Sequence, residues 1–356
     1  MRTFYVGQLN PGGTCLARLC AIRDFTPDVC TFDSNEHVGM ENLTWLRRGL
    51  ESYSHVGPVT ARANRALLAA ATEHRPDLIW IDKGDWIWAS TLRALRARGA
   101  FMVQHNTDAL WPRTALLWFN RRLLRATARW FDVFLTTNLD DQARVERLSV
   151  TRSVLTDLGY DDRRFEPSPL PPQVKAQWAN PMIFVGHHEP RTEAGILALI
   201  EGGLPVTVFG HRPWFASRNR ARLGNHLRPH LSNEDYVHAI KGAKIGLCFV
   251  SEVNYNQTAA RSFEIPGCGT FLLAMRTRQH LDCYREGKEA EFFGDARELV
   301  QKARYYLEHD DERQEIAERG RERSEASGYS WRAIMKRDWD KVMAVYRQRR
   351  SGKSVA

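Results

Sequence analysis

The sequence predicts an α/β protein of two domains, and three observations carry that prediction. At 356 residues the chain is longer than one hydrophobic core usually serves and comfortable for two. Apolar runs of strand length alternate with segments of helix length, and several runs exit straight into polar residues, as βα units of a parallel sheet do. Between Gly159 and Pro181 the character changes: Pro167, Pro169, Pro171 and Pro172 crowd a stretch that can continue neither helix nor strand. The expected organisation is a first α/β domain over 1–165, a proline-rich linker over 166–180, a second α/β domain over 181–328, a last helix over 329–348 and a disordered tail over 349–356.

Bulk composition narrows the function classes. Hydrophobic residues make up 43% and charged ones 26%, which excludes fibrous and disordered classes. No run approaches the roughly 20 apolar residues that cross a bilayer. Met1–Val6 meets Gly and Pro too soon for a secretory leader, so a cytoplasmic location is expected. Cys15, Cys20, Cys30, Cys248, Cys268 and Cys283 form no C-x-x-C pair and sit mostly in apolar runs, the pattern of reduced packing residues. A formal charge of +9 favours an acidic partner: a nucleotide diphosphate, an anionic lipid, an acidic glycan or nucleic acid.

In the first domain Arg2–Leu9 reads as a strand, Asn10-Pro11-Gly12-Gly13-Thr14 as a tight loop and Cys15–Arg23 as a helix. Gly12, Gly13 and Thr14 make the unit a strand, a glycine loop and a helix. The G-x-G-x-x-G spacing and the P-loop lysine are missing, however, and a plain strand-to-helix turn calls for glycine equally. Asp28–Asp33 is a second strand and Pro58–His74 an Ala-, Arg- and Leu-rich helix stopped before Pro76. Asp77–Asp82 is a third strand, whose exit places Lys83 where open α/β sheets hold ligands. Ala100–Gln104 is a fourth, exiting at His105-Asn106-Thr107-Asp108; a His in such a place is more often structural than functional. Trp111–Trp130 is expected to be one basic helix with Leu residues on the sheet and Arg residues in water, although such a segment could also lie on an anionic membrane. Phe131–Thr136 and Ser153–Leu158 complete the strands around a helix Leu139–Leu148.

The second domain opens with the strand Pro181–Val185, the loop Gly186-His187-His188-Glu189-Pro190-Arg191 and the helix Thr192–Glu201. Adjacent His187 and His188 point apart and lack a third metal ligand. Leu204–Phe209 is followed by the loop Gly210-His211-Arg212-Pro213-Trp214, and Ser232 with Asp235 makes an approximate capping box for a helix to Ala243. Ile245–Val250 and Phe271–Ala274 read as buried strands. Between them Thr258 can cap a short helix that Pro266 stops, and Thr258, Arg261 and Glu264 then share one face. A hydroxyl, a guanidinium and a carboxylate beside free N–H groups suit a nucleotide diphosphate, with phosphates on the Arg and helix end and a ribose diol on the Glu. Asp295–His309 and Asp311–Arg323 are charged helices, and Trp331, Met335, Trp339, Val342 and Tyr346 recur at helical spacing as a core stripe.

The run Arg261-Ser262-Phe263-Glu264-Ile265-Pro266-Gly267-Cys268-Gly269, followed by Glu286-Gly287-Lys288-Glu289-Ala290, resembles the family 1 and 4 type glycosyltransferases, in particular the spore-maturation, CgeB-like branch. Phe184-Val185-Gly186-His187-His188-Glu189-Pro190 and the stretch from Pro205 to Trp214 look like the first two strand-loop units of that family's C-terminal domain, so the resemblance covers roughly residues 180–330. It implies the GT-B fold, two Rossmann-like domains facing a cleft, with the last helix crossing back to the first domain. It implies a donor site at Gly186, His187, Arg191, Arg212, Tyr255, Asn256, Thr258, Arg261 and Glu264, taking a nucleotide-diphosphate sugar, UDP-linked by family habit, with no cofactor. It also implies catalytic or acceptor-side roles for His105, Asp108 and Glu252 and an acceptor or phosphate loop at Gly12, Gly13, Thr14 and Lys83. Two positions depart from the pattern. The E-x7-E pair keeps only Glu264, with Asn256 at its first place, and His187 stands where related enzymes often have Arg.

Glycosyl transfer requires a bound nucleotide, a neutralised leaving diphosphate and a placed acceptor hydroxyl. The resemblance implies cations and a helix dipole for the second task, hence no metal, and a retaining outcome. The one D-x-D match, Asp338-Trp339-Asp340, falls in the expected last helix with its carboxylates about 200° apart. One rival is a sugar-nucleotide epimerase on the same scaffold, for which no catalytic acid pair is evident. Another is a non-catalytic basic protein binding nucleotide or nucleic acid, disfavoured because the arginines scatter over several helices. Glycan, lipid-linked group, peptide and small natural product all stay open as acceptors, as does peripheral contact with the inner membrane face.

Overall fold

The computed structural model describes residues 1–38, 44–148 and 152–351. They fall into two compact units, one of residues 1–157, 253–255 and 332 onward, the other of residues 158–252 and 256–331.

The first unit carries a six-stranded sheet of β1 (Thr3–Gly7), β2 (Val29–Asp33), β3 (Leu78–Asp82), β4 (Phe101–Asn106), β5 (Val133–Thr136) and β6 (Arg152–Leu155). Its order is β2-β1-β3-β4-β5-β6 and every pairing is parallel. A parallel sheet is covered on both faces, which is why β3 and β4 read as continuous apolar runs rather than alternating ones. On one face Phe4, Ile79, Met102 and Phe134 meet Leu67, Leu92 and Leu95 of the flanking helices. On the other lies the helix Trp331–Arg350: Trp339 stacks 6.1 Å from Trp80, and Tyr346 meets Phe101 edge-on at 5.3 Å. The helix Pro58–His74 begins on Pro, as expected, and ends with Arg75 in the left-handed region.

The second sheet comprises β7 (Asn180–Val185), β8 (Thr207–Gly210), β9 (Leu227–Pro229), β10 (Ala243–Cys248), β11 (Phe271–Met275) and β12 (Glu291–Phe293). Its order, β9-β8-β7-β10-β11-β12, is the 3-2-1-4-5-6 arrangement of dinucleotide-binding sheets, again parallel throughout. The direction of winding reverses between β7 and β10, and ligands of such sheets sit at the carboxyl ends of the strands flanking that reversal.

Several expectations are corrected. The stretch 111–130 is no single helix but Ala115–Asn120, Arg122–Thr127 and a 3-10 turn Ala128–Trp130. It breaks because Arg121 turns inward, buried, and donates to the Ala109 carbonyl at 2.7 Å. The proline-rich linker holds a short helix, Pro172–Trp178, since Pro is tolerated in a first turn. Thr258 caps nothing: the helix is Arg261–Gly267, begun at Ala260, and Pro266 sits inside it. Ser232 precedes the helix Asn233–Gly242 without a side-chain capping bond. The last helix continues through Arg349 and Arg350, expected in the tail, and residues 352–356 lie outside the described residues. Among the described residues no helix is long and apolar enough to cross a membrane.

Candidate functional site

At the end of β7 the chain turns at Gly186, whose N–H donates to Phe209 O at 3.0 Å and whose carbonyl accepts from Trp214 Nε1 at 2.9 Å. A Cβ added there would lie 2.8 Å from the Phe184 ring and 3.1 Å from Arg261 Nη2, so only glycine lets the guanidinium lie against the backbone. Arg261 sits 5.3 Å from the Phe184 ring centroid, and its buried Nε has no hydrogen-bond partner among the described residues. Burial opposes its charge, but Tyr236, Cys248 and Glu264 outweigh that and hold it protonated. Three residues on, the Glu264 carboxylate accepts from Tyr236 OH at 2.5 Å, and burial raises its pKa. Glu264, read as free for a ribose, thus has one oxygen engaged within the protein.

Trp214, fully buried, organises this corner by bonding the β7 exit while filling the space above Gly210, where a Cβ would be 2.1 Å from its ring. Beside it, His187 stacks on His211 at 5.5 Å and His211 on His230 at 3.6 Å. Burial, then the neighbouring His211 and His187, lower the pKa of His230. His188 points away, edge-on to Trp214 and 2.8 Å from the Glu193 carboxylate.

The start of the helix Arg261–Gly267 is fixed by Ser262, not Thr258. Its hydroxyl accepts from Ala259 N–H at 2.9 Å and lies 2.7 Å from His280 Nε2, while His280 Nδ1 lies 2.7 Å from Met275 O. A carbonyl can only accept, so Nδ1 carries the proton and Ser262 donates to Nε2. Burial keeps this imidazole neutral, its pKa lowered to about 4. Thr258 is buried, with a 3.5 Å contact to Gln279. Arg191 pairs with Glu252 at 3.2 Å, so these two candidates engage each other. The Glu252 N–H donates to Glu189 at 3.0 Å and Asn256 N–H closes the loop on Ser251 O at 3.2 Å. Arg212 is exposed on the short helix Arg212–Phe215.

In the first unit Gly12 takes φ 75°, Gly13 N–H donates to Asn10 O at 2.9 Å and Thr14 begins the helix Thr14–Arg23. Lys83 and Arg121 each lie 3.5 Å from Asp108. Burial raises the Asp108 pKa, but Lys83 and then Arg121 more than reverse this, leaving an ionised, neutralised carboxylate. Asn254 Nδ2 is 3.5 Å from it, and the Tyr255 ring carries Arg113 at 4.2 Å. His105 is corrected: it is fully buried, because β4 runs on to Asn106 rather than ending at Gln104. It meets Trp80 edge-on at 5.9 Å, neither ring nitrogen has a hydrogen-bond partner among the described residues, and burial lowers its pKa to about 3. An acceptor hydroxyl cannot reach it.

Beside His105 lies a pair that sequence reasoning missed. Arg18 donates to both Asp82 oxygens at 2.7 and 2.8 Å, Tyr5 OH donates to the same carboxylate, and all three side chains are buried. The signal was present: Arg18 stands on the apolar face of its helix with Cys15 and Ile22. Asp338 and Asp340 part company as expected, one buried on Thr156, the other exposed on Lys336 at 2.6 Å.

Residues 191–337 match a family model described as glycosyl transferase-like. A search of curated proteins finds no match. HepE from Anabaena, solved in complex with UDP-glucose, is similar in structure with a TM-score of 0.69 at 13% identity, over 97% of this chain and 100% of that one. Sucrose-phosphate synthase from Thermosynechococcus elongatus gives 0.68 at 13%, over 99% and 100%. The UDP-GlcNAc 2-epimerase from Neisseria meningitidis, bound to UDP-GlcNAc, gives 0.56 at 11%, over 97% and 100%. The fold is that of the GT-B glycosyltransferases, and the family match spans residues 191–337 of it.

Proposed function

We propose that the enzyme moves a hexosyl group from a UDP-linked sugar to an acceptor hydroxyl, with retention and without a metal. The observation that carries the donor side is Arg261, a charged guanidinium with a buried, unpartnered Nε, held against Gly186 where the sheet reverses. As the bond from the anomeric carbon to the phosphate oxygen breaks, charge gathers on the diphosphate, and a fixed guanidinium stabilises it without reorganising. The remaining Glu264 oxygen would accept from the ribose. Retention is supported by the first unit: Asp108 is tied to two cations and His105 is buried, so neither is a free base. The acceptor's proton would then pass to the departing phosphate oxygen. HepE bound to UDP-glucose supports UDP as the nucleotide, and the motif around Arg261 supports the CgeB-like branch.

A lipid-linked acceptor or a membrane face is supported by the broken segment after Trp111. Leu116, Trp118 and Phe119 are 52, 51 and 44% exposed. Arg125 lies over Trp118 and Arg122 over Phe119, at 4.2 and 4.1 Å. These three apolar side chains face outward, while Leu124 packs into the core as expected, and basic residues with exposed aromatics suit an anionic interface.

Calorimetric titration with UDP, GDP, dTDP and their sugars in EDTA tests the donor reading. Arg261→Ala should weaken the one nucleotide that binds by roughly tenfold to a hundredfold, the loss of a charge-assisted hydrogen bond. Equal binding by wild type and Arg261→Ala would sink it.

A further inference from the structure

At the opposite end of the first sheet, where strands begin rather than end, the surface holds a cavity of about 710 Å³. Arg2, Arg75, Arg98, Arg349 and Arg350 line it, with Asp77 as the one acidic residue among the described residues of the lining. Its floor is apolar and aromatic, made by Ile79, Phe101 and Tyr346. Residues 2, 77 and 100 precede β1, β3 and β4, so the cavity is on the amino-terminal edge, away from Lys83 and the glycine loop.

Simple dipole neutralisation does not account for this charge. Three helices end here: Pro58–His74, Ala89–Ala97 and Trp331–Arg350. Each helix end contributes about half a negative charge, together roughly one and a half. Asp77 offsets one guanidinium and Asp132, outside the cavity, pairs with Arg349. Three formal positive charges then face about half as much negative dipole. Among the described residues Arg75 and Arg98 enter no ion pair. Arg75 also occupies φ 44° at a helix C-cap, where glycine or asparagine is the usual residue.

We propose that this cavity is a second anion site, binding the phosphate or pyrophosphate group of an organic phosphate whose apolar or aromatic part rests on Phe101 and Tyr346. Arginine forks suit phosphate oxygens, and the aromatic floor suits an organic group attached to them. The chemistry is shared by a soluble phosphate ester and a lipid phosphate headgroup. The site does not depend on the donor reading, since none of its residues belongs to the second unit.

The test is calorimetry of the full chain with sodium pyrophosphate and with UDP, beside flotation with phosphatidylcholine vesicles with and without phosphatidic acid. Three variants are compared: Arg75→Gly/Arg98→Ala, Arg75→Lys/Arg98→Lys and Arg261→Ala. Glycine suits the backbone at 75, and the lysine pair keeps the charge, so both guard against misfolding. Pyrophosphate binding weakened at least tenfold in Arg75→Gly/Arg98→Ala, but not in Arg261→Ala, establishes a site for soluble phosphates. Failure of pyrophosphate to bind, with vesicle flotation lost in the same double variant, assigns the site to a lipid headgroup. If Arg75→Gly/Arg98→Ala binds both probes as the wild type does, or neither probe binds the wild type, the proposal is overturned. UDP binding unchanged in Arg75→Gly/Arg98→Ala is expected and separates this site from the donor site; its loss there would overturn that separation.

Discussion

The two domains share a parallel six-stranded sheet but treat the carboxyl ends of their strands in opposite ways. In the first, the ends of β3 and β4 are sealed by a buried salt bridge, Arg18 on Asp82, and by a neutral His105 wedged beside it. In the second, the ends of β7 and β8 are braced by an aromatic anchor, Trp214, and the charged group above them, Arg261, forms no ion pair among the described residues. The difference teaches where a scaffold leaves electrostatic capacity for a ligand. A guanidinium bound through two nitrogens to a buried carboxylate has its charge neutralised and is structural, whereas one that, among the described residues, forms no ion pair keeps its field for a guest.

The comparison can be broken most forcefully at the salt bridge. Asp82→Ala should cost about 3–5 kcal/mol by stranding a buried arginine, read as a fall in the urea midpoint. The double variant Arg18→Met/Asp82→Leu should recover most of that loss. If Asp82→Ala unfolds with the wild type, the seal is not structural. Trp214→Ala should cost about 3–5 kcal/mol in the second domain and also loosen nucleotide binding, because both strand exits lose their brace. Unchanged binding after that substitution would sever the anchor from the site.

Acid sharpens the contrast next. His105 and His280 have folded pKa values lowered to about 3 and about 4, below the ordinary 6.5 of the unfolded chain. The unfolded state therefore takes up protons first. Their contribution is complete above pH 6.5 and falls as pH drops toward 4, by about 1.4 kcal/mol per pH unit for each group. Urea unfolding at pH 7.5, 6 and 5 should show this slope, and His105→Phe should flatten it for the first domain alone while changing stability at pH 7.5 by under about 1.5 kcal/mol. A slope unaffected by His105→Phe would mean the ring is not neutral. The smallest effects concern the helix start: Ser262→Ala should cost about 1–2 kcal/mol, and Thr258→Val under about 0.5 kcal/mol. A reversal of that order in thermal melts would restore Thr258 as the cap.

Much of the fold was legible because it rests on local signals. Apolar runs bounded by turn residues marked most of the strands, and Pro58 with Pro76 marked both ends of one helix. The Arg261-Ser262-Phe263-Glu264 motif was legible as a short helix between two buried strands, which are β10 and β11. What stayed hidden depends on side chains brought together from distant places. Tyr236 meets Glu264, His230 meets His211, Arg18 meets Asp82, and His280 takes the hydroxyl of Ser262. No spacing in the chain encodes such meetings. His105 was misplaced for a subtler reason: two further residues of strand carry a polar run inward, and polarity alone had suggested an exit.

The helix Trp331–Arg350 has a consequence for how the molecule is made. It supplies Trp339 and Tyr346 to the aromatic layer under the first sheet, and Asp338 to Thr156 at its edge. A ribosome delivers that helix only after the whole second domain has emerged. The amino-terminal sheet must therefore wait, with Trp80 and Phe101 uncovered, while the domain synthesised later closes its own core. Order of birth and order of completion are inverted, and the interval between them is when the nascent chain is most exposed to chaperones and proteases.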